Sequence, residues 1–532
     1  MRQVKIYDTT LRDGTQAEDF SPTLADKIRI AQKLAQFGIH YIEGGWPGSN
    51  PTDKDFFQEV RNYHLGQSLV AAFGSTHHKD GTPDTDPNLQ ELIISQAPVV
   101  TIFGKSSLFQ VKEVLQTTPE RNLELITGSL SFVRGHVREL FYDAEHFFDA
   151  FKENKEYALA TLDAAWRDVA GAQCVILCDT NGGTLTPDLM EIIAAVKERF
   201  PGMFLGIHAH NDSELAVANS LAAVELGCVQ VQGTINGLGE RCGNANLCSV
   251  IPALQLKMGR ECLAEHDLAR LTELSRFVYE VANIRPNRYQ PFVGRSAFAH
   301  KGGVHAAAVK RNPKAYEHIP PEKVGNERNI PVSALSGRGN LFLWAKTRGI
   351  ELEDYGKAAV KRALEAVKEK EAAGYQFEDA DASLDLLLRA SIGQHREYFS
   401  LVRYNVGVSK DGGNGAIMPE ATVRLRVGPL PVHVAELGNG PVDALAKALF
   451  KALREFYPRL SEMRFEDGDY KVRVLPGSGG TDSTVRVLMG FHDASSRWGV
   501  IGVATDVIDA SWQALVDAIN YKLFMDEQRA KK

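Results

Sequence analysis

From residue 3 to about residue 258, short apolar runs alternate with longer segments whose apolar residues recur every three or four positions. The short runs are VKIYD, HYIEGG, SLVAAFG, VVTIFG, HVRELFYD, CVILCDTN, MFLGIHAHND and VQVQGTIN. They are too short for typical helices and rich in β-branched or aromatic residues, so they read as strands. The segments between them, such as TLADKIRIAQKLAQFG, PDLMEIIAAVKERF and LAVANSLAAVELG, carry the apolar stripe of a helix laid on a sheet. Eight strands with intervening helices predict an α/β fold, and a (β/α)8 TIM barrel better than an open doubly wound sheet. The polar clusters DTTLRDG, GGWPGSNP, FGSTHH, FGKSS, YDAEH, DTNGG, HAHND and NGLGERCGN each follow a strand core. A barrel builds its site from those C-terminal strand ends.

The alternation stops near residue 285. A Pro- and His-rich stretch follows, and residues 350 to 394 carry the pattern of two helices. From about residue 397 a weak repeat appears: ATVRLRV leads to GPVDALAKALFKALREF, and STVRVLMGF with WGVIGVATDV leads to DASWQALVDAINYKL. Two β-rich units, each followed by a helix, predict a pseudo-duplicated α+β domain. The expected division is a barrel over 1–284, helical and extended linker subdomains over 285–396, and a C-terminal domain over 397–532.

Composition narrows the class. A chain of 532 residues calls for more than one domain, and 44% hydrophobic with 24% charged residues fits a soluble globular protein. No apolar run is long enough to span a membrane, and the N-terminal MRQVKIYDTT lacks the apolar region of a signal peptide. A net charge of -7 offers no footprint for nucleic acid. The six cysteines have no zinc-finger spacing and read as reduced, structural thiols of a cytoplasmic protein.

The candidate chemistry lies in three of the polar clusters. In HAHND, alternation along a strand presents His208 and His210 to one space. With a carboxylate from elsewhere, two imidazoles make a divalent-metal site, and Asp13 at the end of the first strand can supply it. Arg12 beside it can stabilise an oxygen that gains negative charge. Plainer readings stand alongside: a hydrogen-bonded histidine pair, Asp13 as a turn residue, and a salt bridge from Arg12 to Glu43.

Taken together, DTTLRDGTQ, HAHND and NGLGERCGN resemble the DRE-TIM metallolyase superfamily, and GERCGNANL resembles its Claisen-condensing members, the 2-isopropylmalate, homocitrate and citramalate synthases. The resemblance extends through FAHKGGVHAAAV and PGSGGTDSTVRVLMGF, so it spans essentially the whole chain. It implies a divalent metal (magnesium, manganese, zinc or cobalt) held by Asp13, His208, His210 and, directly or through water, Asn244. It implies Arg12 facing the carbonyl oxygen of a 2-oxo acid and Thr180 binding that acid's carboxylate. Glu145 is similar to a carboxylate near the methyl of the co-substrate acetyl-CoA, His305 to a catalytic histidine, and Tyr316 more weakly to a residue of the same segment.

The stretches YIEGGWPGSNPTD and FYDAEHFFDAF look most like one branch, the citramalate synthases, which implies pyruvate as the 2-oxo acid. The other condensing activities, and more distantly a lyase of the superfamily, are the alternatives. Phe73, Phe103 and Phe141 could narrow a pocket toward pyruvate, or simply pack the barrel. The C-terminal region resembles the allosteric dimerisation domain of these synthases, implying a homodimer and feedback inhibition by isoleucine. Cys242 departs from the small residue usual in the synthases and reads as a structural substitution; Asp8 reads as a structural carboxylate.

Overall fold

In the computed structural model, which describes residues 3–167, 170–300, 303–328, 338–410, 417–475 and 483–531, every one of the eight apolar runs contains a strand. They are β1 (Lys5–Asp8), β2 (Tyr41–Gly45), β3 (Leu69–Ser75), β4 (Val99–Lys105), β5 (Glu139–Glu145), β6 (Cys174–Asp179), β7 (Leu205–Ala209) and β8 (Gln230–Gly233). They close in sequential order into a barrel, with β1 parallel to both β2 and β8. The TIM barrel expected from the alternation is the observed fold. Several runs overshoot their strands. β5 starts at Glu139 because the His136 amide closes a turn onto the Val133 carbonyl. β7 ends at Ala209, and His210 forms an isolated bridge with Asn244 instead.

Local signals set where the surrounding helices begin. Thr23 and Asp26 form a reciprocal capping box ahead of the helix Leu24–Phe37. Asn50, Asp86 and Thr118 each accept a backbone N–H at the start of a helix that opens with proline. Such caps satisfy donors that the first turn leaves open. One apolar layer lies between barrel and helices, and a second fills the barrel with Tyr7, Tyr41, Val99, Phe141, Ile176 and Cys178. Phe141 therefore follows the packing reading. It sits two residues below Asp143 on its strand, with its ring 5.1 Å from that of Tyr41 and edge-on to it, in the barrel floor.

The chain divides into two compact units, Met1–Phe298 with Ile319–Arg328, and Ala299–His318 with Asn329–Lys532. The second unit contains the helices Arg338–Thr347, Gly356–Ala372 and Asp381–Ser391, the last two covering the pair expected between 350 and 394. Next comes the duplication read from the sequence. β9 (Ser400–Lys410), β10 (Ile417–Val427) and β11 (Leu430–Leu437) form one antiparallel sheet, followed by the helix Pro441–Arg454. β12 (Arg464–Val474), β13 (Val485–His492) and β14 (Arg497–Ala504) form another, followed by the helix Val507–Ala530. Both helices and both sheets contribute to one apolar core. The glycine-rich turn GSGGTD at 477–482 lies outside the described residues. No described helix is long and apolar enough to cross a membrane.

One buried ion cluster ties the last helix to the second sheet. Lys522, 1% exposed at its side chain, lies 2.8 Å from both Asp493 and Asp526. Asp493 also accepts from Arg529 at 3.0 Å and from the Ser495 and Ser496 amides at 2.8 Å. Burial alone would raise the Asp493 carboxyl, but Lys522, the Ser495 amide and Arg529 override it and hold the group far below the usual carboxylate range. A carboxyl lowered on folding stabilises fully above its unfolded value of about 4 and loses that contribution as pH falls. Asp493→Asn should therefore cost roughly 3 kcal/mol in chemical denaturation at pH 7. Its deficit relative to wild type should shrink below about pH 4, and a deficit independent of pH would contradict this account.

Candidate active site at the barrel mouth

The turn after β1 is held by its own side chains. Asp8 accepts from the Thr10 amide at 2.9 Å and the Thr10 hydroxyl at 3.0 Å, and Thr10 in turn accepts from the Ile235 amide at 2.9 Å. Burial pushes the Asp8 carboxyl up to about 7, against the Thr10 hydrogen bonds. Asp8 thus bolts the turn to the loop after β8, a structural task. The Arg12 and Gly14 amides both donate to the Thr9 carbonyl, which aims Arg12 and Asp13 over the barrel. Gly14 is not sterically required: a Cβ there would meet its nearest neighbours at an ordinary 3.6 Å.

Glu43, fully buried at the end of β2, accepts from Arg12 Nε at 2.7 Å, from the Tyr7 hydroxyl at 2.7 Å and from the Thr9 hydroxyl. Arg12 also donates to Asp13 at 3.1 Å. The salt bridge weighed against a functional role is therefore present, and it orients the guanidinium toward Asp13. Burial would lower the Arg12 pKa, but Glu43 and Asp13 more than reverse that and the cation persists at any ordinary pH. Its flat face lies 3.8 Å from the centre of the Phe73 ring, which stacks on Phe103 at 5.1 Å. Trp46 meets both rings edge-on and donates its Nε1 to Asn88 at 2.7 Å.

His208 and His210 face one space, as the alternation predicted, and Asp13 converges on them from the turn after β1. Asp13 Oδ2 lies 3.4 Å from His208 Nε2 and 3.8 Å from His210 Nε2, and the two Nε2 atoms are 3.3 Å apart. All three residues are buried. Burial would raise the Asp13 carboxyl, but Arg12, His208 and His210 bring it down to about 2. Burial, with His210 and Arg12, pushes His208 down to about 3, and burial lowers His210 as well. The cluster is thus one carboxylate and two neutral imidazoles, the protonation that metal ligation needs. Asp13 Oδ1 and Asn244 Oδ1 are buried without a hydrogen-bond partner among the described residues. Orphaned acceptors beside converging nitrogens fit a divalent cation.

Two residues that were not singled out in the sequence complete this arrangement. His208 Nδ1 donates to Gln232 Oε1 at 3.1 Å, and Gln232 Nε2 donates to Asp143 Oδ1 at 3.1 Å. That chain fixes the imidazole with its Nε2 lone pair toward Asp13. The available signal was Gln230 and Gln232, both buried in a strand that lies wholly inside.

The glycines of NGLGERCGN have steric causes. A Cβ on Gly239 (φ +155) would sit 2.2 Å from Asn244 Nδ2, and one on Gly243 (φ +86) 1.9 Å from the Gly237 carbonyl. Arg241 clamps this loop to its neighbours, donating to Asp212 at 2.8 and 3.0 Å and to the Thr180 carbonyl at 2.9 Å. The Thr180 hydroxyl accepts from the His146 amide at 2.8 Å, immediately after Glu145. Glu145 ends β5 and is ion-paired with Lys105 at the end of β4. Cys242 is exposed, whereas the other five cysteines are buried; all six are free thiols. His305 and Tyr316 belong to the second unit, where their rings stack at 4.1 Å.

A closed parallel barrel carries at its mouth a buried Asp–His–His cluster that is a candidate metal site, and the HMGL-like family model matches residues 3–278. The homocitrate synthase post-HMGL domain-like model matches residues 292–374, and the LeuA allosteric (dimerisation) domain model matches residues 378–523. The chain is 54% identical to the (R)-citramalate synthase of Geobacter sulfurreducens over 99% of both chains, and 52% identical to that of Aquifex aeolicus, again over 99% of both. Identity to a probable 2-isopropylmalate synthase of Methanopyrus kandleri is 31%, over 97% of this chain and 98% of that one. The chain belongs to the (R)-citramalate synthase family.

The relay through Gln232 generates a direct test. Gln232→Leu should weaken divalent-metal binding about 10–100-fold in calorimetric titration. An unchanged affinity would disconnect Gln232 from the cluster.

Proposed function

We propose that this chain condenses acetyl-CoA with pyruvate and hydrolyses the thioester, giving (R)-citramalate and CoA on the pyruvate route to isoleucine. The Asp13–His208–His210 cluster with Arg12 at its edge carries the reaction class. The choice of pyruvate is supported by 54% identity to an (R)-citramalate synthase, against 31% to a probable 2-isopropylmalate synthase. The aromatic wall of Trp46, Phe73 and Phe103 beside Arg12 also favours a small 2-oxo acid.

Asp13, His208 and His210, with Asn244, are the proposed ligands of a divalent ion. When bound, that ion supplies Lewis acidity to the carbonyl of the 2-oxo acid. Arg12, braced by Glu43 and Phe73, donates to the carbonyl oxygen as it becomes an alkoxide. Thr180 accepts a hydrogen bond from His146 and keeps its own proton to donate to the substrate carboxylate. Glu145 takes a proton from the acetyl-CoA methyl. His305 and Tyr316, stacked on one another, are the second unit's proposed contribution to proton handling.

The functional division is 1–284 for catalysis, 285–396 for the linker segments that complete the site, and 397–532 for allostery and dimerisation. A homodimer is supported by the LeuA allosteric (dimerisation) match and by exposed Leu401, Val402 and Val408 on β9. Isoleucine is the proposed feedback inhibitor, because it is the end product of the route. Six free thiols, five of them buried, suit a reducing cytoplasm.

Thiol release from acetyl-CoA, measured with a panel of 2-oxo acids with and without divalent metal, should show metal-dependent turnover with pyruvate preferred. Arg12→Ala should lower kcat by about 10²–10³, and Asp13→Ala should lose metal by elemental analysis. Near-normal turnover of the first or full occupancy of the second would overturn the scheme. Truncation after about residue 395 should abolish any response to isoleucine; an active truncated enzyme that is still inhibited would refute the regulatory assignment.

A further inference from the structure

Lys105 and Glu145 are register partners on the last rung of β4 and β5, and the ammonium lies in an ion pair with the carboxylate. Their side chains are 15% and 22% exposed, so the pair is shielded yet open to the barrel mouth. The Lys105 ammonium is 5.8 Å from the centre of the Phe103 ring, and Phe103 stacks on Phe73, which carries Arg12. One aromatic pair thus holds the Arg12 cation on one ring and Lys105 on the other.

We infer that Lys105 is a further catalytic residue, whose ammonium stabilises the thioester oxygen of acetyl-CoA as the methyl proton is removed. The inference rests on Glu145 being the base. In that step the methyl C–H bond breaks and its proton goes to a Glu145 oxygen. The electron pair forms the enolate C=C bond, and the thioester C=O pair moves onto oxygen. Negative charge therefore leaves the carboxylate as it appears on the thioester oxygen. A cation that served only the resting carboxylate would weaken the base. A cation that follows the charge from the carboxylate to the thioester oxygen lowers the barrier instead. Lysine suits that task, with a compact charge, three donors and a flexible stem. The competing account is a cross-strand pair that only stabilises the barrel.

The test compares Lys105→Gln with wild type as metal-loaded full-length enzyme, using acetyl-CoA and its methyl-deuterated form. The expected result is a kcat lowered about 10²–10³-fold, pyruvate KM little changed, metal content retained, and a larger primary deuterium isotope effect. Normal kcat, or a lowered kcat without an increased isotope effect, overturns the inference. In a Cys242→Ser parent, Lys105→Cys alkylated with 2-bromoethylamine should regain turnover, because the ammonium returns. Alkylation reaches position 105 selectively, since the remaining cysteines are buried; failure of this rescue also counts against Lys105. Glu145→Gln separates the two assignments: if it keeps normal turnover, the base reading itself falls. If it is inactive while Lys105→Gln is normal, only the role of Lys105 falls.

Discussion

A carboxylate with no solvent contact, Glu43 at the end of β2, sets the terms for the barrel mouth. Removing an unpaired carboxylate from water costs several kcal/mol even after relaxation, so its partners have little freedom. Tyr7, Thr9 and Arg12 are drawn to it from the end of β1, and this brings two loops into one rigid piece. Arg12 is the shared member. With its Nε committed to Glu43 and its face on Phe73, its remaining edge faces Asp13. Asp13 then meets the two imidazoles as an ionised group held low by that cation. Without Glu43, Arg12 would lose the anchor on its Nε and with it the fixed edge that it presents to Asp13.

The opposite wall uses the same economy with neutral groups. Asp143 of β5, Gln232 of β8 and His208 of β7 form a chain of hydrogen bonds across the barrel. It fixes which nitrogen of His208 faces inward. Together the two networks convert a cluster of titratable side chains into a site with a defined charge pattern. Low-dielectric surroundings strengthen each of these contacts and penalise any that goes unmade.

Much of this is legible in the sequence alone. Alternation gave eight strands because a parallel barrel buries both ends of its period, and the helices between them show one apolar stripe each. His208 and His210 could be paired from their spacing alone, since alternate residues of a strand face one way. Asp8 reads as a structural carboxylate in the sequence, and the Thr10 hydrogen bonds give it that task. Gly14 carries no steric requirement, whereas Gly239 and Gly243 do, because they pack their backbones against Asn244 and the Gly237 carbonyl. Phe141 and Phe103 looked alike along their strands. Depth in the barrel divides them: Phe141 joins Tyr41 in the floor, and Phe103 stacks on Phe73 beneath Arg12.

By itself, then, the sequence determined the barrel, the duplicated C-terminal unit, and the residue types able to bind a metal and stabilise an oxyanion. These are properties of periodicity and short motifs, which act over a few residues. Only the tertiary structure decided which of those residues work on one another. Glu43 comes to Arg12 from β2, Gln232 comes to His208 from β8, and Lys105 comes to Glu145 from β4. Each partnership crosses between the ends of neighbouring strands that parallel pairing sets side by side, at distances along the chain that no local pattern spans.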